Sequence, residues 1–373
     1  MTADQAVETA FEVDRSDLAR TRVQQRRLPP INDGQCLLTV DRFAFTANNI
    51  TYATLGDSFG YWAFFPAPDN WGRIPVWGHA TVTASAHEQV SVGTRIYGLL
   101  PMANRLVVQP ERVRDDGFID AATHRRDLPR AYNAYRMTPA EEDESSQDRR
   151  ALLSPLFLLS FLLDDHLAEQ DLLGNRVVIS SASSKAAVGT AFLLHRRGAS
   201  VVGLTSTRNR DFVDRLGIYE QVITYGRLDD LDPTPTVFLD LAGDTTLRQA
   251  VHRALSRALA HSLAVGLTHW DRSPWQQPEE ASGDDTPALF SAPARIVART
   301  REWGRAGFES RFGADFAQFA AWSAAWLRLT RSFGADDVEA AYQRALRGTV
   351  LPADGVILSM RPAPIEDRDK PTS

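Results

Sequence analysis

"RVVISSASSKAAVGTAFLLHRRGASVVGLTSTRN", Arg176 to Asn209, is the stretch on which the reading of this chain turns. A β-branched run ends at Ile179. A polar turn follows, Ser180–Lys185, then a helical stretch, Ala186–Arg197, and a second apolar run, Ser200–Leu204. Strand, turn, helix and strand in this order build a parallel sheet that holds ligands beyond the carboxyl ends of its strands. The turn aims backbone N–H groups outward, and the helix dipole adds roughly half a positive charge there. Glycine normally lets the backbone approach a pyrophosphate, yet this turn has none. Ser180, Ser181, Ser183 and Ser184 offer hydroxyls, and Lys185 a full charge. Two readings fit: a phosphate cradle made partly of side chains, or a serine-rich cap on an ordinary helix. A Walker loop does not fit, because no glycine precedes Lys185 and Ala186 stands where a Mg²⁺-binding hydroxyl belongs.

The second strand favours the cradle. Sites specific for NAD place an acid on the ribose about 20 residues after the turn. Here "GLTSTRNR" (Gly203–Arg210) supplies Thr205, Ser206, Thr207, Arg208 and Arg210 and no acid. Hydroxyls with a planar cation suit a 2′-phosphate, so NADP(H) is the expected cofactor. Outward from this unit the alternation continues. Strands are expected at Gln221–Thr224 and Thr236–Asp240, and a helix–strand step over His252–Trp270, which implies a doubly wound parallel sheet. Residues 35–110 read instead as short strands broken by Gly, Pro and Asn, a barrel-like β region. "TPAEEDESSQDRR" (Thr138–Arg150) reads as a charged surface loop or domain junction. "SPLFLLSFLLDDHLAEQ" after it reads as a buried helix. Three segments result: 1–150, 151–290, and a helical 291–373.

The chain's 373 residues, 43% apolar, are enough for two domains. A net charge of −6 leaves no basic face for nucleic acid. The single cysteine, Cys36, excludes a disulfide framework and a multi-cysteine zinc cage, and it suits a reducing cytosol. The polar, acidic N-terminus is no signal peptide. The apolar run Leu152–Leu163 is too short to span a bilayer and contains Pro155. A soluble cytoplasmic protein acting on a small molecule, with no membrane or nucleic-acid partner, is expected.

Several blocks resemble the medium-chain dehydrogenase/reductase superfamily, on its zinc-free quinone- and enoyl-reductase side. "GASVVGLTSTRNRDFVDRLGIYEQVITY", "VFLDLAGD", "PVWGHATVTASAHEQVSVGTRIYG" and "VEAAYQRALRGTVLPADGVILSM" carry the likeness, which covers roughly residues 35–360. More narrowly, "TANNITYATLGD", "GYWAFFPA", "SSASSK", "GLTS" and "THW" are similar to a bacterial branch of it. The resemblance implies an α/β protein: a GroES-like β-barrel catalytic domain plus a doubly wound Rossmann domain, the C-terminus returning to the first. It implies NADP(H) and, since the family is often dimeric, a homodimer. The departures are specific. Ser183, Ser184, Lys185 and Ala187 replace the family's "AAGGVG" turn. Asn49 stands at the zinc-binding Cys position, Tyr52 at the following Asp, and Ala80 follows Gly78–His79 in place of the acid of "GHE". No metal is therefore expected, and His79 reads as structural.

Hydride transfer needs a donor near the accepting atom and a dry slot against the nicotinamide. Tyr52, in "ANNITYATLGD", falls where the resembled family sets its active site and is the first candidate for acid, with Asn49 as orienter. Tyr61 and Trp62 of "GYWAFFPAPDNW" are candidate pocket walls. His269 and Trp270 of "GLTHWD" end a Rossmann strand, where His269 would donate a proton and Trp270 line the substrate slot. Ala242 and Gly243 would let the backbone approach the ribose, and Tyr225 would stack near the adenine. Each also has a plain packing reading. A reductase of a carbonyl, enone or quinone-like molecule is expected. Two alternatives stay open: a non-redox lyase or isomerase for a phosphorylated or phosphopantetheine-linked ligand, and an NADPH-binding protein without turnover.

Overall fold

The structure is a computed structural model that describes residues 6–139, 141–265 and 288–364. His269 and Trp270 lie outside the described residues. The chain forms two compact units, Met1–Leu152 with Arg328–Ser373, and Leu153–Leu327.

The first unit opens with strands β1 (Val7–Asp14), β2 (Thr21–Arg27) and β3 (Cys36–Phe45) and helix α1 (Ala47–Thr54). Strands β4 (Trp71–Gly72), β5 (Pro75–Ser85), β6 (Arg95–Pro101), β7 (Arg105–Val108), β8 (Pro110–Arg114) and β9 (Gly117–Asp120) follow. A single turn of helix, α2 (Arg130–Asn133), leads into β10 (Ala134–Met137), and helix α3 (Glu144–Glu169) carries the unit boundary. The second unit contains β11 (Arg176–Ile179), α4 (Lys185–Arg196), β12 (Val201–Thr205), α5 (Arg210–Arg215), β13 (Gln221–Thr224), β14 (Thr236–Asp240), α6 (Thr245–Leu255), β15 (Leu259–Ala264), β16 (Ala288–Leu289) and α7 (Ala292–Ser323). Then β17 (Arg328–Phe333), α8 (Ala335–Leu346) and β18 (Asp354–Ser359) rejoin the first unit. Helix α7 packs in the second unit, so the return begins at Arg328 rather than at 291.

In the first unit, sheet order is β17-β18-β3-β5-β6-β10-β9-β8, with β7 also on β3. Pairing of β3 with β5, and of β5 with β6, is antiparallel, and β18 closes on β3 with Ile357 opposite Ala44. A second sheet, β2-β1-β4, was not expected from the polar N-terminus. Its strands put Glu8 opposite Arg26 and Glu12 opposite Arg22. Both carboxylates are buried, and Arg73 bonds to each. The charged run Thr138–Arg150 is not simply a surface loop either: its second half is the first part of α3. There Asp148 accepts from Arg42 (3.1 Å) and Arg331 (2.6 Å), so α3 is pinned by β3 and β17.

The second unit's sheet runs β13-β12-β11-β14-β15-β16, all parallel. Its three central strands are buried throughout, as expected for strands covered by helices on both faces. The order 3-2-1-4-5-6 is that of a dinucleotide-binding Rossmann sheet, with its switch point between β11 and β14. Helix α3 is longer than the expected run. At 26 residues it is long and apolar enough to cross a membrane. In this fold Leu162, Leu163 and Leu167 are buried, and Phe157 stacks on Phe319 of α7 at 4.7 Å. Helix α4 approaches α3 at Gly189, where an added Cβ would lie 2.6 Å from Ser160 Oγ. In a free helix Gly→Ala stabilises by about 1 kcal/mol. Here Gly189→Ala is expected to destabilise by about 1–3 kcal/mol through overpacking, read as a lower denaturation midpoint; a rise would show that the helices do not meet there.

Candidate functional site

The serine turn sits at the switch point and is held from every side. Ser180 is fully buried; its Oγ donates to Asp240 Oδ1 at 3.0 Å and accepts from Ala242 N at 2.9 Å. Asp240, also fully buried, accepts from Gly243 N (3.0 Å) and Arg248 (3.1 Å) as well. Ser181 turns the chain at φ 53°, a left-handed conformation that glycine usually supplies. Its N–H donates to the Tyr225 hydroxyl at 3.1 Å. Ala182 N donates to Leu204 O and its carbonyl accepts from the Tyr219 hydroxyl (2.9 Å). Ser183 Oγ accepts from Asn209 Nδ2 at 3.0 Å, and Ser184 caps α4 by accepting from Ala187 N. Lys185 is the first residue of α4.

The turn thus differs in part from a cradle of free groups. Ser180 is a lock between strands, and Ser184 is a cap, although both Ser183 and Ser184 retain a hydroxyl hydrogen to donate. Tyr225 does not present its ring outward: the ring packs beside the core formed by Val202, Ile223 and Phe238, and its hydroxyl fixes the turn. The N–H groups of Ala242 and Gly243 face inward to Ser180 and Asp240. Sequence reasoning missed Tyr219, Asn209 and Arg248 as clamps. "GIYEQVITY", with two tyrosines bracketing β13, was the available signal.

At the end of β12, Thr205 is 1% exposed and its Oγ1 has no hydrogen-bond partner among the described residues. Ser206 is half-buried, and Arg208 is exposed on the following 3₁₀ turn. A buried orphan hydroxyl is costly unless something satisfies it. It lies on the strand beside the one that ends in the serine turn.

In the first unit Tyr52 lies on α1, not on a strand. Asn49 anchors that helix: Oδ1 accepts from Thr46 N (2.8 Å), and Nδ2 donates to Pro75 O (2.9 Å). Its amide therefore orients α1, and through it Tyr52. The Tyr52 ring stacks on Tyr61 at 4.4 Å, and Tyr61 meets Tyr132 edge-on at 6.3 Å. Burial, then the Tyr132 phenol, push the Tyr52 hydroxyl far above the usual phenol range, and Tyr61 rises for the same causes. Trp62 is buried. Cβ atoms added at Gly56 or Gly72 would lie 2.1 and 2.5 Å from its ring, so backbone encloses it. His79 is buried, and its Nε2 donates to Gln147 O at 3.1 Å. Burial foremost, with nearby Arg150, Arg42 and Arg95, lowers it to about 3.

Ser180→Ala is expected to cost about 1–3 kcal/mol, because a buried carboxylate loses a donor; unchanged urea stability would remove Ser180 as the lock. His79 binds a proton in the unfolded chain near pH 6.5 but in the folded chain only near pH 3. Its contribution is present above pH 6.5 and is lost as pH falls toward 3. Between pH 6.5 and 5 the protein is expected to lose about 2 kcal/mol that His79→Gln does not lose. Parallel pH curves for the two proteins would contradict this assignment.

A family model described as "Protein of unknown function (DUF2855)" matches residues 43–351. No curated protein matches the chain. Among solved structures, CurA of Vibrio vulnificus in complex with NADPH is similar at TM-score 0.61 and 12% identity, covering 95% of this chain and 100% of that one. The quinone oxidoreductase of Coxiella burnetii gives 0.53 and 14%, covering 95% and 100%. The CurK enoyl reductase gives 0.54 and 14%, covering 94% and 99%. At these identities the likeness is one of fold. The chain carries the medium-chain dehydrogenase/reductase fold, a GroES-like β-barrel with a Rossmann unit, and it belongs to the DUF2855 family.

Proposed function

We propose that the protein is an NADPH-dependent reductase of a carbonyl, enone or quinone-like small molecule, without catalytic zinc. The observation that carries this reading is the orphan Thr205 hydroxyl beside a left-handed serine turn, both at the carboxyl edge of a 3-2-1-4-5-6 sheet. The fold likeness to a protein crystallised with NADPH, to a quinone oxidoreductase and to an enoyl reductase supports it.

The residues present fit a phosphorylated dinucleotide. Ser183, Ser184 and Lys185 with the first N–H groups of α4 would hold the pyrophosphate; Thr205, Ser206 and Arg208 would hold the phosphorylated ribose. NADPH supplies a hydride when bound. Tyr52 would offer a hydrogen-bond donor to a substrate carbonyl oxygen. Burial raises the Tyr52 pKa further above the ordinary phenol value, so it offers a hydrogen rather than a phenolate. Tyr61 and Trp62 contribute differently: Tyr61 supports the Tyr52 ring, and Trp62 fixes the loop that carries Tyr61.

The test is a titration of NADPH, NADH and coenzyme A, followed by NADPH oxidation at 340 nm with enones, quinones and aldehydes. Ser206→Ala and Arg208→Ala are each expected to weaken NADPH by about 1–3 kcal/mol and leave NADH unchanged. Equal losses for both cofactors would contradict the phosphate-reading role. Tyr52→Phe is expected to lower kcat with cofactor affinity unchanged. Coenzyme A binding without NADPH binding would favour the non-redox alternative, and NADPH binding without oxidation of any acceptor would favour a protein without turnover.

A further inference from the structure

A pocket of about 340 Å³ lies in the first unit, between the β8–β9 hairpin and α2, lined by Glu111, Arg112, Asp120, Arg126 and Arg130 among others. Its floor is rigid. Arg125, fully buried, donates to Asp120 Oδ2 (3.1 Å), Asn133 Oδ1 (2.9 Å) and the Tyr132 carbonyl (2.7 Å). Asp120 Oδ1 is already taken by Gln109 N and Ala122 N. The Asp120 charge is thus spent within the protein. The rest of the charged lining is three arginines, Arg112, Arg126 and Arg130, against one acid, Glu111. Among the described residues neither Arg112 nor Arg130 has an acidic partner. Arg126 Nε donates to the Ala121 carbonyl at 3.2 Å, which orients its fork and leaves the terminal nitrogens free to bind a ligand. On a chain of net charge −6 this is a local reversal of sign.

The backbone adds a second observation. Between the pairs Glu111–Ile119 and Arg114–Gly117, two residues on β8 oppose one on β9, a β-bulge. Arg112 occupies the bulge at φ 53°. Such a position usually belongs to glycine, since a side chain there strains the backbone. Strain kept for a particular side chain is characteristic of functional positions.

We propose that this pocket binds a phosphate dianion, held by the forks of Arg112, Arg126 and Arg130, in a role independent of the reductase reading. Planar guanidiniums pair bidentately with tetrahedral oxyanions. The volume exceeds that of inorganic phosphate, so a phosphomonoester of a small alcohol is the expected form. Calorimetric titration of the full chain with inorganic phosphate, glycerol phosphate and succinate tests this. Glycerol phosphate is expected to bind most tightly and succinate at least about tenfold more weakly. Arg126→Ala and Arg130→Ala are each expected to lose about tenfold, while Arg114→Ala, on the same strand but outside the pocket, loses nothing. Arg112→Gly separates binding from folding, because it relieves the strained φ: its melting temperature is expected to be unchanged or higher while affinity falls about tenfold. Phosphate binding as tightly as its ester would still support the site and identify the free ion as ligand. No saturable heat from either phosphate, or an Arg114→Ala loss equal to that of Arg126→Ala, would overturn it.

Discussion

The second unit depends on one hydroxyl bridge. Ser180 Oγ lies between Asp240 Oδ1 and Ala242 N, joining the ends of β11 and β14 where the direction of strand succession reverses. The two strands stay paired to their ends, Ile179 beside Leu239, and the crevice of a doubly wound sheet lies just beyond such ends, where the connections leave to opposite faces. The bridge ties the chain just past both ends while satisfying a carboxylate that is fully buried. It also sets where Ser181 begins its left-handed turn. A non-glycine residue in that conformation costs about 1–2 kcal/mol. Tyr225, Tyr219 and Asn209 offset this by hydrogen-bonding the turn's backbone and Ser183. The turn is therefore rigid without glycine, and rigidity at a helix N-terminus is what anion binding needs.

The first unit solves a related problem with aromatic rings. Asn49 holds α1 to Pro75, α1 holds Tyr52, and Tyr61 supports its ring. Neutral phenols in an apolar surrounding keep their protons, as the raised Tyr52 and Tyr61 values express. His79 is held neutral by the same burial, with its Nε2 committed to the Gln147 carbonyl. Desolvation holds the imidazole neutral and reinforces the protonated state that phenols already have near neutral pH.

The Rossmann elements were legible because buried parallel strands read as continuous apolar runs, and "RVVI", "VVGLT" and "TVFLD" did so. The β1–β2 hairpin was not legible. Its inward positions include Glu8 and Glu12, which look solvated until Arg22, Arg26 and Arg73 are seen to neutralise them. The start of α3 was hidden likewise, its acids Glu144 and Asp148 being claimed by Arg42 and Arg331. At the serine turn, residue type could not tell which hydroxyls face inward. Ser180 and Ser183 differ by three positions and by whether Asp240 or Asn209 reaches them. Only tertiary contact separates a lock from a ligand group.

The central claim is that the serine turn and the end of β12 together hold a phosphorylated dinucleotide. Backbone amide shifts followed during NADPH titration of ¹⁵N-labelled protein test this most directly. Saturable shifts concentrated at Ser183–Ala186 and Thr205–Arg208 are expected, with a smaller response at the second group for NADH. Shifts absent from both groups at saturating NADPH would contradict it.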